Sequence, residues 1–371
     1  MSTRAARAVA IAGLIAALLA APSAIEAADG AGAAGLARLQ HAIQAAAREA
    51  YPVFSEDVAF SAAIKGYLGS IDAYSTYISP KEGELLRTSS SRDFAGVGMD
   101  VIQDHKGFLY CLPYAGSPAQ QAGIGYGDML RAIDGVQAEA LPLQSVQGRI
   151  RGKEGSTVTL GVVGSEGLRE RVLTRRRVVQ PSVELLRDDA IARIRIVSFD
   201  QHTKGELLAA LAPIPAGSPL ILDVRGNVGG DLEVAADCAG LFLPDGALVV
   251  SMRKKNASTA LRVKTDVKAK VGAIVLWQDR FTASSAEVFC AALSQNKRGK
   301  TLGERSFGKG VTQRAMPAAG GGLYVITNAE LLPPNGKSYD RKGLEPDLPL
   351  AQGTTSTQQE FLRKSHEALK P

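Results

Sequence analysis

Three apolar runs in the second half of the chain constrain its fold most: IARIRIVSF at 191–199, PLILDVRG at 219–226 and VGAIVLWQ at 271–278. Each reads as a strand, and each is followed by a helical pattern: TKGELLAALAPI, DLEVAADCAGLFL and SSAEVFCAALSQN. A further short strand, KTLGE, closes the series at 300–304. Strand and helix in strict alternation predict an α/β layer with helices packed on a central sheet.

Upstream the texture differs. From Phe94, short apolar runs alternate with glycine-containing turns, and GSTVTLGVVG and LRERVLTRRRV continue the pattern. This predicts a β-rich module over 93–178 with one brief helix at Pro118 to Ala122. Before it, Leu36, Leu39, Ile43 and Ala47, then Val58, Ile64, Leu68 and Ile71, recur at helical spacing, and Pro80 suits the first turn of another helix. Residues 28–92 are therefore expected to be helical, and 351–371 to be a polar tail. At the start, Arg4 and Arg7 precede the apolar stretch AVAIAGLIAALLAAPSA and the small residues of SAIEAADG. That order predicts a signal peptide over 1–27, cut after Ala24 or Ala27, with an uncleaved membrane anchor as the alternative. The chain is thus expected to be exported to the periplasm, or held at the membrane by that segment.

Composition removes several function classes. Of 371 residues 45% are hydrophobic and 22% charged, which fits a packed globular chain. The net charge of +6 is dispersed, and Arg175, Arg176 and Arg177 read as a solvated face without interleaved aromatics, so nothing points to nucleic acid. Cys111, Cys238 and Cys290 make neither a disulfide framework nor a zinc site. They read as small buried apolar residues, although Cys238 and Cys290 could meet.

Residues 303–313, GERSFGKGVTQ, imitate a phosphate-binding loop, but Gly310 stands where the metal-binding Ser or Thr is required. Lys309 therefore needs another role. Its neighbours Gly308 and Gly310 would let the backbone approach another element closely, with Gln313 on the same side if the segment is a strand. Ser284, followed by Glu287 three residues later, has two readings. One is a capping box; the other is a nucleophile among the unpaired N–H groups of a helix start. The four histidines, His41, His105, His202 and His366, all read as surface residues, and there is no G-x-S-x-G elbow. A lysine whose ammonium is disfavoured by burial can replace histidine as the base.

These blocks together resemble the carboxyl-terminal processing peptidases, the tail-specific family of Ser-Lys endopeptidases. The likeness runs through GYLGSIDAYSTYISPKE, FAGVGMDV, GSPAQQAGIGYGDMLRAIDG, LILDVRGNVGGDL, DRFTASSAEVFCAALSQNKRGKTLGERSFGKGVTQ and NGKSYDRKGLEPD. It implies a multidomain α/β protein: an α/β protease core at 179–350, an inserted β-rich PDZ domain at 93–178 and the N-terminal helical segment. It also implies Ser284 as nucleophile, Lys309 as general base and Gln313 as the amide orienting the lysine. The oxyanion hole would use the N–H of Ser285 and of Gly229 or Gly230. Where the family has R-N-N-P-G-G this chain has RGNVGG, and TASSAE alters the residue order beside the nucleophile. GVGM resembles the PDZ carboxylate-binding loop, which gives Gly96, Val97, Gly98 and Met99 the role of holding a peptide C-terminus.

The function so implied is an exported serine endopeptidase that captures polypeptide C-termini and cleaves through an acyl-enzyme, with no metal, nucleotide or other cofactor. Its partners would be polypeptides with exposed apolar C-termini; an adaptor or activating protein and a homo-oligomer stay open. The alternative is a PDZ scaffold that binds peptides on the same fold without cleaving them. Arg151 is either a contact between PDZ domain and protease or a surface arginine.

Overall fold

A computed structural model describes residues 30–50, 55–89, 95–178, 180–187, 190–265, 267–350 and 357–369. The expected export segment at 1–27 lies outside the described residues. The chain divides into a unit over 1–60 and a unit over 61–371. The first contains α1 (Gly30–Glu49), whose Leu36 and Leu39 are exposed. Helix α2 (Glu56–Gly69) crosses the boundary in sequence.

In the second unit, β1 (Thr76–Ile78) and α3 (Pro80–Ser89) precede the β-rich module. Its strands are β2 (Met99–Gln103), β3 (Leu109–Pro113), β4 (Met129–Ile133), β5 (Val136–Gln137), β6 (Thr157–Gly164) and β7 (Gly167–Thr174). Helix α4 (Pro118–Gln121) follows β3 where the sequence placed it, opened by Pro118 and capped by Ser117 Oγ. A second helix, α5 (Leu143–Ile150), was not expected, because Gly148 and four polar residues interrupt its Leu143, Val146, Ile150 stripe. The strands form one antiparallel sheet in the order β2-β3-β4-β6-β7, with β5 beside β4. β2 is its outer strand, and α5 packs near it.

The rest is two sheets. The first uses β8 (Val183–Leu186), β9 (Ala192–Ile196), β10 (Leu220–Asp223), β13 (Ile274–Gln278), β14 (Lys300–Gly303) and β17 (Leu348–Pro349) in the order β17-β14-β13-β10-β9-β8. All neighbours are parallel except the β8–β9 pair. Every residue of β10 and β13 is buried, as a parallel sheet covered on both faces requires. Alternate side chains go to opposite sides. Leu220, Leu222, Ile274 and Leu276 meet α6 (Thr203–Leu211), α7 (Leu232–Gly240) and α8 (Ser285–Gln295), whereas Ile221, Val275 and Trp277 meet Phe361 of α9 (Gln358–Ala368). The C-terminal segment is therefore no tail. Phe361 and Ser365 are buried, and Trp277 Nε1 donates to Ser365 Oγ at 2.7 Å. Burying a side chain the size of Phe361 contributes roughly 2–3 kcal/mol, enough to hold a short helix that its own propensity would not.

The second sheet contains β11 (Leu248–Arg253), β12 (Ser258–Arg262), β15 (Val311–Pro317) and β16 (Leu323–Leu332), ordered β1-β16-β11-β12 with β15 also on β16. Thr76 pairs with Val325, so the segment before the β-rich module supplies a strand to the core. The expectation of an all-helical 28–92 is corrected here: three residues were too few to show a strand period, and their partner lies about 250 positions on in the register.

The β-rich module rests on this core. Ile102 and Leu112, with Tyr110, pack against Phe281, Ala283, Val228 and Phe307. Tyr126 donates to Asp279 Oδ2 at 2.5 Å, and Asp279 Oδ1 accepts from the N–H of Gly226 at 3.0 Å. Arg151, left between two readings above, is exposed and runs over Gly96, whose added Cβ would lie 3.8 Å from its Cγ. The three cysteines are free and buried.

Candidate active site

Ligands bind open α/β sheets beyond the carboxyl ends of the strands. Here the segments leaving β10, β13 and β14 at those ends are 224–231, 279–284 and 304–310, which contain Gly229 and Gly230, Ser284, and Lys309. The adjacency of β10, β13 and β14 therefore gathers residues up to 80 positions apart.

Ser284 stands immediately before α8 with φ 58° and ψ −123°. An ordinary helix cap has extended dihedrals, and a non-glycine residue held at positive φ costs on the order of 1–3 kcal/mol. So the backbone at Ser284 is not that of a simple cap. Ser284 is half-buried, while Ser285 is 1% exposed, which leaves Ser284 the more accessible of the two hydroxyls.

Lys309 lies in the loop before β15, not in a strand. Gly308 and Gly310 press against the 339–343 loop: a Cβ on Gly308 would come 2.7 Å from Gly343 N, and one on Gly310 2.8 Å from Asp340 N. The close approach expected from these glycines is thus present. Burial lowers the Lys309 ammonium below its ordinary 10.5, against the opposing pull of Glu287. Its Nζ lies 5.0 Å from the centroid of the Tyr74 ring. Among the described residues, no hydrogen bond joins Nζ to Ser284 Oγ or to Gln313.

Glu287 ties these parts together. It is fully buried, and its Oε2 accepts the N–H of Ser284 at 2.9 Å and of Lys309 at 2.9 Å. Its Oε1 accepts the N–H of Gly308 at 2.7 Å and the hydroxyl of Ser306 at 2.5 Å. Burial pushes its carboxyl up to about 7, even though all four donors favour the carboxylate. The sequence showed Glu287 only as a capping partner. Its other three donors lie 19 to 22 residues away, across a turn of the chain that local spacing does not reveal.

The glycine turn faces the same place. Gly229 and Gly230 have φ 101° and 141°, and a Cβ on Gly229 would lie 2.9 Å from Ser284 Cβ. The N–H of Gly229 donates to Asn227 Oδ1 at 2.8 Å, so it is not available to an oxyanion. The N–H groups of Gly230 and Ser285 have no partner among the described residues. Asn227 itself is fixed by its amide donating to Ile196 O at 3.0 Å. Arg225, at the entrance to the turn, lies between Trp277 and Phe361, 4.5 Å from each ring, and makes a two-pronged contact with Asp223 at 2.8 and 2.6 Å.

Gln313 sits on β15 beyond a bulge between Thr312 and Gln313, which breaks the simple alternation assumed for it. Its Nε2 reaches Thr327 Oγ1 only at 3.5 Å, and it shares with Lys309 the wall of a cavity of about 200 Å³. In the GVGM loop, the N–H of Gly96 donates to Arg176 O at 3.0 Å, which removes it as a carboxylate donor. Val97 and Gly98 keep unpartnered N–H groups among the described residues. Met99 opens β2, and Gly98 is needed as glycine because a Cβ there would fall 2.5 Å from Ser117 Cβ. His41, His105 and His202 are exposed and His366 is half-buried on α9.

Comparison with known proteins agrees with this fold. Residues 190–350 match Peptidase family S41, and residues 110–164 match a PDZ domain. The probable CtpA-like serine protease of Staphylococcus haemolyticus (strain JCSC1435) is 31% identical over 295 residues, covering 78% of this chain and 60% of that protein. Its namesake from Staphylococcus aureus (strain bovine RF122 / ET3-1) is 30% identical over 320 residues, covering 85% and 64%. This chain thus spans less than two thirds of the length of these relatives. Among solved structures, the photosystem II D1 C-terminal processing protease superposes with a TM-score of 0.71 at 23% identity, covering 89% of this chain and 91% of that one. That likeness is one of fold. With its sheets, its PDZ domain and the three converging loops in place, residues 190–350 of the chain belong to Peptidase family S41.

Proposed function

We propose that the protein is a serine endopeptidase that recognises polypeptide C-termini and cleaves through a Ser284 acyl-enzyme with Lys309 as base. The observation that carries the reading is the convergence of a strained Ser284, a half-buried Lys309 with a lowered ammonium, and a glycine turn at the ends of three adjacent parallel strands. Neutral Lys309 Nζ takes the Ser284 hydroxyl proton while Oγ attacks the scissile carbonyl carbon. The oxyanion is received by the N–H groups of Ser285 and Gly230. Collapse breaks the C–N bond, and the Lys309 ammonium returns its proton to the departing amine. Water, deprotonated by Lys309, then attacks the ester and frees Ser284. Lys309 Nζ has to close on Ser284 Oγ for the first step; catalytic hydrogen bonds often tighten only around bound substrate.

The substrate C-terminus adds as a strand along the free edge of β2, with its carboxylate at the N–H groups of Val97 and Gly98. Gln313 acts from the shared cavity on the placement of Lys309. Arg4, Arg7 and the apolar stretch behind them support export, to the periplasm or to the membrane through an uncleaved N-terminal segment.

The test uses an unfolded protein with an apolar C-terminus and the same chain with that terminus amidated. Wild type is expected to cleave the free-carboxylate chain faster, by about tenfold or more, and Ser284→Ala to bind it without cleaving it. Cleavage by Ser284→Ala at the wild-type rate sinks the nucleophile assignment; equal rates on both substrates sink C-terminal recognition. Binding of the peptide by wild type without any cleavage would point to the scaffold reading instead.

A further inference from the structure

We infer that Tyr74 is a positioning residue whose ring face stabilises the ammonium form of Lys309 that proton transfer from Ser284 creates. The inference rests on the proposal that Lys309 is the base. The ring centroid is 5.0 Å from Lys309 Nζ, within the range where a cation is drawn to an aromatic face, and both residues line the same cavity. Among the described residues the phenol hydroxyl has no hydrogen-bond partner, so what Tyr74 offers Lys309 is its face. That face is held in place. Asp72 Oδ1 accepts the N–H of Tyr74 at 2.8 Å and of Ser75 at 2.7 Å, and Ser75 Oγ accepts the N–H of Thr327 at 3.1 Å. Thr76 then enters β1 opposite Val325, which ties the segment to β16 and, through it, to β15.

The ring acts differently on the two states of the lysine. A neutral amine is hardly attracted to the ring quadrupole, whereas an ammonium is. The attraction therefore grows as the proton leaves Ser284, and an interaction stronger in the transition state than in the ground state accelerates the step. Burial, with Asp340 and Glu287 facing it, pushes the Tyr74 phenol well up, so the ring stays neutral wherever the enzyme works. Among the described residues, the charge acting on Lys309 is Glu287 from α8, while Asp340 from the 339–343 loop, Asp104 and Asp72 act with it on Tyr74, and Lys65 and Glu139 stand on the cavity wall. These are untouched by changes to the ring itself.

The experiment replaces Tyr74 by Phe and then by Phe carrying one, two and three ring fluorines, which drain the face of electron density at nearly constant shape. The Lys309 titration is followed by carbon NMR on lysine-labelled protein, its signal assigned by its loss in Lys309→Met, and kcat/KM is measured against pH. Tyr74→Phe is expected to behave as wild type within about twofold. The fluorine series should lower the Lys309 midpoint stepwise by a total of roughly 0.5–1 pH unit, move the acid limb of kcat/KM down by the same amount and lower its plateau about three- to tenfold. A purely structural ring would leave the midpoint flat across the series, and that result overturns the inference while Lys309-dependent cleavage stands. Wild-type cleavage by Lys309→Met would instead remove the base assignment itself, and the inference with it.

Discussion

Lys309→Met is expected to lower kcat by roughly 10²- to 10⁴-fold, with KM and thermal unfolding close to wild type. The methionine fills much of the same space, and among the described residues Nζ makes no hydrogen bond whose loss would unsettle the fold. What the proposed mechanism then lacks is the acceptor for the Ser284 proton. In the proposed mechanism Ser284 and Lys309 work as a unit, so Ser284→Ala/Lys309→Met should be no slower than the worse of the two single variants. Multiplicative losses in the double variant would mean that the two residues act in separate steps. The pH profile carries the sign. Burial depresses the Lys309 ammonium below 10.5, so the neutral base appears at lower pH than for a free lysine, and kcat/KM should rise along a limb displaced to the acid side of 10.5.

Glu287→Ala should be the most damaging substitution for stability, and should slow catalysis as well. It leaves the N–H groups of Ser284, Gly308 and Lys309 and the Ser306 hydroxyl without their buried acceptor. At about 1–3 kcal/mol for each stranded group, the loss is expected to exceed roughly 4 kcal/mol, measured by urea unfolding with Ser284→Ala as the reference. Glu287→Gln keeps the shape, but turns an amide toward two of the four donors, and should fall between. The carboxyl also makes stability depend on pH. Its folded value of about 7 stands above the ordinary 4.5, so between those values the native state holds a proton that the unfolded chain has released. This group therefore makes the fold less stable as pH rises from 4.5 to 7, and Glu287→Gln should flatten that part of the melting profile. A wild-type Tm rising over the interval as steeply as in Glu287→Gln would count against it.

Much of this site was legible in the sequence because its signals are local. PLILDVRG and VGAIVLWQ announce buried strands, and the FGKG glycines announce a close approach that the 339–343 loop supplies. What stayed hidden depends on pairing across the chain. The strand at 76–78 exists only because β16 lies beside it, and Tyr74 meets Lys309 only because that strand is anchored there. Glu287 looked like the end of a capping box, since three of its four donors come from a later loop. The same holds for Gly229, whose N–H is occupied by an asparagine two residues before it, a bond that no spacing rule distinguishes from a free donor. The final segment was misread for a different reason. Its polar approach, AQGTTSTQQ, masked the Phe361, Ser365 stripe that packs on the sheet.

That C-terminal helix gives the protein a built-in optical gauge. Trp277 is the single tryptophan of the chain, fully buried, with Phe361 at 5.0 Å, Ser365 on its indole nitrogen and Arg225 over its ring. Its emission should therefore shift to the red when α9 lifts off and stay still when only the PDZ domain moves, because the PDZ domain contributes none of these contacts. A fluorimeter can thus time the loosening of one end of the molecule during denaturation apart from the other. Through Arg225, the same signal watches the base of the turn that carries Gly230.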